Sequence, residues 1–562
     1  MNCLIILLIS AAALILGYIF YGAYIAKQLG IDPRKKTPAH TLEDGQDYIP
    51  SLSPVLMGHH FASIAGAGPI NGPIQAAVFG WVPVLLWILI GGIFFGAVHD
   101  FTSLFASMRH KGRSIGYIIE KNVGISAKLL FLIFAYLTLI LIIGSFTSIV
   151  VDTFTGLSEF GAKSPANAAA GTISLWFILA SILFGEIVYR RNLPLSASNA
   201  IGIAAIILCI AVGIKYPLFL KEDSWQLIVL VYIFVASVSP VWLLLQPRDY
   251  LNSFLLYAMI IASVLGIIVS HPSIGIPAFA GFKGMNGNGM LFPMLFSTVA
   301  CGALSGFHSL VGSGTTSKQI NKETDAKAIG YGGMLIESML AVTALIAAGV
   351  FYGKTGNLDG TPMQIFSASI ASMINVFGFK DAYAISYSLI ILSVSAFCLT
   401  SLDTATRLAR YMFQEIFVTG VKDMESLTGV RKICANSYFA TLITVVLGGL
   451  LSLGGYGKIW PLFGSANQLL ASLSMLAVSA WLAKEGKNNK YLLIPMAITL
   501  AITLCSLFVT LEKNLVSILS GTGSLSTEGT QCIIIIMLLV LAIHLTLKGI
   551  KDIKNTKKTG II

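Results

Sequence analysis

Residues 58–73 read G-H-H-F-A-S-I-A-G-A-G-P-I-N-G-P. Two adjacent histidines, four glycines, two prolines and an asparagine stand here in a chain of otherwise apolar runs. Glycine loosens a helix and proline removes a backbone donor. At membrane depth such freed backbone survives only where protein or a water-filled cavity satisfies it. The stretch is therefore expected to be a transmembrane helix broken around Gly66–Gly68, with a polar site at the break.

Composition sets the surroundings of this break. Apolar residues make up 56% of the 562 and charged residues 11%, with a mean hydropathy of +0.83. A soluble domain carries about 25% charged residues, so the reading is an all-α, polytopic integral membrane protein. Apolar windows of about 20 residues predict about 15 transmembrane helices, near 2–26, 55–79, 81–107, 126–151, 171–189, 196–214, 226–246, 251–271, 290–316, 328–352, 382–406, 436–456, 460–482, 490–511 and 530–549. The seven cysteines are scattered through these windows without metal-ligand spacing, so no metal and no cofactor is expected.

The net charge of +11 follows topology. With the N-terminus outside and one crossing per window, 28 of the 36 basic residues fall in loops on the inner side. This asymmetry is the positive-inside rule; it puts the C-terminus in the cytoplasm and argues against nucleic acid as a partner. No P-loop, H-E-x-x-H or G-x-S-x-G motif occurs, so neither direct ATP drive nor an enzyme is expected.

The windows also divide into segments: an N-terminal helix and loop (1–54), two five-helix sets (55–214 and 226–410) and C-terminal helices (430–562). Two odd-numbered sets run in opposite orientations, as inverted repeats require. The first window of each set contains a breaker, G-A-G-P in one and A-S-V-S-P-V-W (236–242) in the other. That is the layout of a LeuT/APC-like 5+5 inverted repeat with extra helices.

Ionisable groups inside windows are few, and each is a candidate for function. His59 and His60 sit in the cytoplasmic half of the broken window, and histidine titrates near neutrality; an interfacial place bonded to lipid headgroups or backbone is the alternative. In C-G-A-L-S-G-F-H-S-L-V-G-S-G-T-T (301–316), Ser305, His308, Ser309, Gly312 and Thr316 share one helical stripe. Plain close helix packing is the alternative for such small residues. Glu337 stands mid-window with no basic residue one turn away. Thr315 and Thr316 offer hydroxyls that could ligate a cation. Ser237, Ser239 and Trp242 flank Pro240 and are candidates to wall a site. Arg248 and Asp249 are expected to anchor or gate a helix end, and Asp403 to pair with Arg407 one turn on.

The motifs G-H-H-F-A-S-I-A-G-A-G-P-I (58–70), V-H-D-F (98–101), V-W-L-L-L-Q-P-R-D-Y (241–250), S-G-F-H-S-L-V-G-S-G-T-T (305–316) and L-D-T-A-T-R (402–407) together resemble the carbon starvation protein A family. The resemblance implies an uptake carrier of the bacterial cytoplasmic membrane, for pyruvate or short peptides and coupled to protons. In that reading Gly66, Ala67, Gly68, Asn71, Ser237, Ser239, Trp242, Ser305 and Ser309 bind substrate. His59, His60, His308, Glu337, Thr315 and Thr316 serve the coupling proton, or sodium as the alternative. An uncoupled channel is the rival. The expected partners are the lipid bilayer and a small-molecule substrate.

Overall fold

The computed structural model describes residues 1–558 apart from 46, 158–162, 192–193, 241–242, 286, 288, 379–380 and 421–427. Regular structure among the described residues is helical, with only isolated β-bridges between loops. The chain runs through α1 (Cys3–Leu29), α2 (Ser53–Ile64), α3 (Gly68–Ala76), α4 (Trp81–Arg109), α5 (Ile125–Phe154), α6 (Pro165–Arg191), α7 (Leu195–Lys215), α8 (Glu222–Val238) and α9 (Leu245–Ser270). It continues through α10 (Phe307–Gly314), α11 (Lys327–Thr355), α12 (Pro362–Phe377), α13 (Ala382–Val418), α14 (Ser437–Ser452), α15 (Tyr456–Lys484), α16 (Lys490–Leu519) and α17 (Thr530–Lys558).

Among the described residues, eleven helices are long and apolar enough to cross a membrane, and a bent pair, Gly429–Ala435 with α14, would make a twelfth. The windows 55–79, 226–246 and 290–316 instead fold as shorter helices. Two of these are interrupted. After α2, Ala65 leaves helical geometry (φ −78°, ψ 75°). α3 then restarts at Gly68 with Pro69 in its first turn, where a missing N–H costs little.

The second interruption corrects the expected one. α8 runs unbroken to Val238 and is capped at Ser239, so Pro240 follows a helix end, where proline is common. The break instead opens at Val299 (φ −88°, ψ 65°), after Phe296–Thr298, and closes where α10 begins at Phe307. The sequence there, C-G-A-L-S-G, is rich in small residues with poor helix propensity.

The two interruptions touch. A Cβ on Gly68 would lie 2.3 Å from Sγ of Cys301, so only glycine permits this approach. Trp87 donates from Nε1 to the Val299 carbonyl (3.2 Å). On the far side, Asn467 of α15 replaces the missing turn. Its Oδ1 accepts from the Phe307 N–H (2.9 Å), its Nδ2 donates to Ser305 Oγ (3.0 Å), and its carbonyl accepts from the Gly306 N–H (3.0 Å). The apolar stretch of α15 is buried along its length, although it belongs to the expected C-terminal extras.

Loops sort by charge. Arg109 meets Glu323, Lys318 meets Asp47 and Lys128 meets Glu120 and Glu415 at one face, where the backbones of Lys36 and Lys322 also form a β-bridge. At the opposite face, the Ile274 N–H donates to the Met1 carbonyl, and the Trp81 and Val82 N–H groups donate to the Pro277 and Ala278 carbonyls. The first broken helix starts at the basic face and the second ends there, so the two run antiparallel.

Asn467→Leu strips the Phe307 N–H and Ser305 of their buried partner. Each buried orphan costs about 1–3 kcal/mol, so the variant should melt at a clearly lower temperature in detergent than the native chain. An unchanged midpoint in a thermal unfolding assay would show that the amide does not hold the break.

Candidate functional site

Below the interruptions, on the side of the basic face, lie the halves α2 and α10. Each sends a histidine inward, because positions on these short helices face unbroken α4 and α11. His308 of α10 sits between two carboxylates: Nδ1 is 2.7 Å from Oδ2 of Asp100 (α4), and Nε2 is 3.3 Å from Oε2 of Glu337 (α11). The other oxygen of Asp100 is 2.7 Å from Nδ1 of His99. His60 of α2 places Nδ1 2.9 Å from Thr316 Oγ1. Its Nε2 is buried without a partner and faces Gly333, one turn before Glu337.

This arrangement has a definite proton inventory. An ionised carboxylate only accepts, so with Asp100 ionised both His99 and His308 present Nδ1–H to it. A neutral His308 then offers a bare acceptor at Nε2. Among the described residues, Glu337 has no hydrogen-bond partner at either oxygen. Two bare acceptors 3.3 Å apart repel, so one proton belongs between His308 and Glu337. All four side chains, His99, Asp100, His308 and Glu337, are buried.

The break itself is also lined by unpaired groups. Asn71, in the first turn of α3, is 1% exposed, and neither its Oδ1 nor its Nδ2 has a partner among the described residues. Gly66, Ala67 and Gly68 are buried beside it. Ser305 reaches the same region through Cys301 and Asn467. Ser309, by contrast, is bound to the Gly306 carbonyl and to Ser474 (2.9 Å), a packing contact between α10 and α15.

Other expected members fall elsewhere. Ser237 pairs with Thr441 of α14 (3.2 Å), and Ser239 turns its hydroxyl back to the Val235 carbonyl; their helix packs on α5, α13 and α14, away from the break. Trp242 lies outside the described residues. Thr315 is exposed and bonds within its own helix, whereas Thr316 meets His60. Asp100 and His99 belong to the V-H-D-F motif (98–101) but not to the expected site residues, and Asn467 is a member that the sequence does not single out. The signal for Asn467 was the S-A-N-Q run (465–468) inside an apolar window.

His59, the neighbour of His60, points to a second cluster, with Nδ1 3.8 Å from Oδ2 of Asp249 (α9). Arg248 is buried between Asp403 and Asp249 and also meets the Tyr232 hydroxyl. Tyr232 donates to Oδ2 of Asp403 (2.6 Å). The expected pair of Asp403 with Arg407 does not form: Arg407 donates to the Ala236 and Ser239 carbonyls (2.8 and 2.5 Å). The end of α8, opened by Pro240, leaves those carbonyls without helical donors, and the guanidinium satisfies them.

Antiparallel broken helices with buried polar groups at their junction, inside a bundle of apolar spans, mark a multi-pass membrane protein, and the relatives it resembles are transporters. A match to the family described as "Carbon starvation protein CstA" covers residues 2–358 and 352–506. The chain is 33% identical to "Peptide transporter CstA" of Bacillus subtilis strain 168, over 91% of this chain and 90% of that one. It is 32% identical to "Pyruvate/proton symporter BtsT" of Escherichia coli K12, over 90% of this chain and 81% of that one. A manganese transporter of Eremococcus coleocola superimposes with a TM-score of 0.48 at 11% identity, covering 92% and 99% of the two chains. The protein belongs to the carbon starvation protein CstA family.

Removing one partner of a buried ion pair costs about 3–5 kcal/mol, because the other charge is stranded. Arg248→Met should therefore lower the thermal unfolding midpoint sharply. Adding Asp403→Leu should restore part of the loss, and a double-mutant cycle in detergent measures the coupling.

Proposed function

We propose that this chain is a secondary active carrier that brings a small carboxylate-bearing nutrient, pyruvate or a short peptide, into a bacterial cell together with protons. The observation that carries the reading is the His308–Glu337 gap, a buried place for one proton joining a broken helix to an unbroken one. The relatives named for peptide transport and for pyruvate/proton symport support the substrate classes. In this reading the basic face is cytoplasmic, the N-terminus is outside, and the two broken helices are the inverted pair of a repeat within about 15 spans.

The substrate carboxylate docks at the start of α3, where the positive end of a helix dipole meets Gly66, Ala67, Gly68 and Asn71. Ser305 closes the opposite wall. With its proton, the gap holds α10 against α11. Without it, two acceptors face each other and α10 is released toward the cytoplasm. His60 and Thr316 link α2 to the same event, and Asp100 keeps His308 oriented. The second cluster, with Arg248 between Asp249 and Asp403 and His59 beside it, seals the inner half until α2 moves.

The test is uptake by proteoliposomes under an imposed pH gradient, with a sodium gradient varied separately. Uphill accumulation should require the outside to be acid and should vanish with a protonophore. His308→Ala, Glu337→Gln and Asp100→Asn should each lower gradient-driven accumulation at least tenfold, while substrate counterflow at equal pH persists. Accumulation that ignores pH, or variants with an unchanged pH dependence, would refute the coupling.

A further inference from the structure

Asp100 carries a charge that the proton gap does not balance. Its Oδ2 is 2.7 Å from Nδ1 of His308, and its Oδ1 is 2.7 Å from Nδ1 of His99. With one proton, the pair of His308 and Glu337 is neutral however that proton is shared. It is either an imidazole beside a carboxylic acid or an imidazolium beside a carboxylate. The charge of Asp100 is left over. A lone carboxylate inside a membrane bundle is costly, so the cluster needs one more proton than the gap holds, or a cation.

Few groups can supply it. Among the described residues, no lysine or arginine forms an ion pair with Asp100 or Glu337. α10 presents His308, and α11 presents Glu337 and Tyr331, whose hydroxyl donates to the Ile93 carbonyl (2.9 Å). His60 of α2 is bonded to Thr316 rather than to a carboxylate. α1, α15 and α16, the other long helices packed on α4, carry charged residues only near their ends. His99 remains. It is fully buried and touches Asp100 directly. Its Nε2 has no partner among the described residues, so a proton placed there displaces no hydrogen bond. An imidazole is a stronger base than a carboxylate by about 2.5 pKa units in water, which puts the extra proton on His99 rather than on Asp100.

We infer that His99 is a positioning residue for the proton gap, a resident imidazolium that keeps Asp100 ionised and thereby fixes the tautomer of His308. An ionised Asp100 only accepts, so His308 must turn Nδ1–H toward it and leave Nε2 bare toward Glu337. Without a cation at His99, the extra proton passes to Asp100, which then donates to His308 Nδ1. His308 would carry its own proton on Nε2, and the gap would be filled with no proton from outside. The charge on His99 is distinct from the coupling proton and stays through the cycle. Its effect on transport rests on the carrier reading above, whereas the charge itself is measured without transport.

The experiment starts from the native chain. Val–His occurs once, at 98–99, so carbon-13 in valine carbonyls with nitrogen-15 in histidine singles out His99 by solid-state NMR in lipid. Both ring nitrogens of His99 should be protonated at neutral pH, in the native chain and in Glu337→Gln alike. A bare ring nitrogen on native His99 would overturn the inference, as would a charge that disappears in Glu337→Gln. In proteoliposomes with the outside acid, His99→Gln should lower accumulation of pyruvate or trialanine at least tenfold while counterflow at equal pH persists. His99→Lys, which returns a cation, should recover part of that loss. Unchanged accumulation in His99→Gln, or equal loss in both variants, would refute the positioning role. Accumulation of neither compound by the native chain would end the carrier reading and the positioning role with it.

Discussion

A side chain standing in for a turn of helix is the interaction on which the architecture depends. Hydrocarbon offers no hydrogen bonds, so an interrupted helix inside a membrane must find its partners in protein. Asn467 supplies them at the second break, using its side-chain oxygen, its side-chain nitrogen and its backbone carbonyl together. This explains why a helix carrying Ser465, Asn467, Gln468, Ser472 and Ser474 is buried rather than lipid-facing. Some of its polar residues meet groups that would otherwise be orphaned: Gln468 donates to the Phe296 carbonyl (2.7 Å). α15 is thus structural bedrock for the site, although it follows both of the expected five-helix sets.

The same shortage of solvent organises the charges. Two buried clusters lie in the half of the bundle nearest the basic face, one around Asp100, His308 and Glu337, the other around Arg248, Asp249 and Asp403. Neighbouring residues on a helix point about 100° apart. His59 and His60 accordingly face different clusters from one short helix. His59 turns toward Asp249 on α9, and His60 toward Thr316 and α11. Any tilt of α2 therefore disturbs both clusters at once. In the carrier reading, that makes α2 the mechanical link between the proton gap and the inner seal.

Much of this was legible in the chain because lipid embedding leaves strong marks. The glycine- and proline-rich stretch at 58–73 foretold the first break, since no continuous apolar helix tolerates that composition. His308 and Glu337 announced themselves as ionisable groups without neighbours to neutralise them. The errors came where a local signal has two meanings. Proline after S-V-S reads equally as a kink or as the residue beyond a helix end, and α8 takes the second meaning. Asp403 and Arg407 stand at a spacing that usually pairs them, yet each found a stronger partner on another helix. No one-dimensional pattern encodes such tertiary competition. Asn467 was missed for the same reason: its role exists only because residues 299–306 of a distant segment lack a helix.

The two junction helices differ in one respect that decides how a charged ligand would enter. Each starts at a break, and each therefore presents a positive dipole end with N–H groups that the helix itself cannot satisfy. At α10 that end is already occupied: the Asn467 oxygen sits on the Phe307 N–H, and its carbonyl on Gly306. At α3 no side chain caps the helix start at Ala67–Gly68, and Cys301 approaches it with a weakly polar sulfur. An anion arriving at the junction therefore meets one filled helix end and one without a side-chain cap. The uncapped end is on the broken helix that also carries His59 and His60, the helix that touches both charged clusters. In the carrier reading, neutralising that dipole end alters the electrostatics of α2, which gives ligand binding a direct physical route to the proton gap.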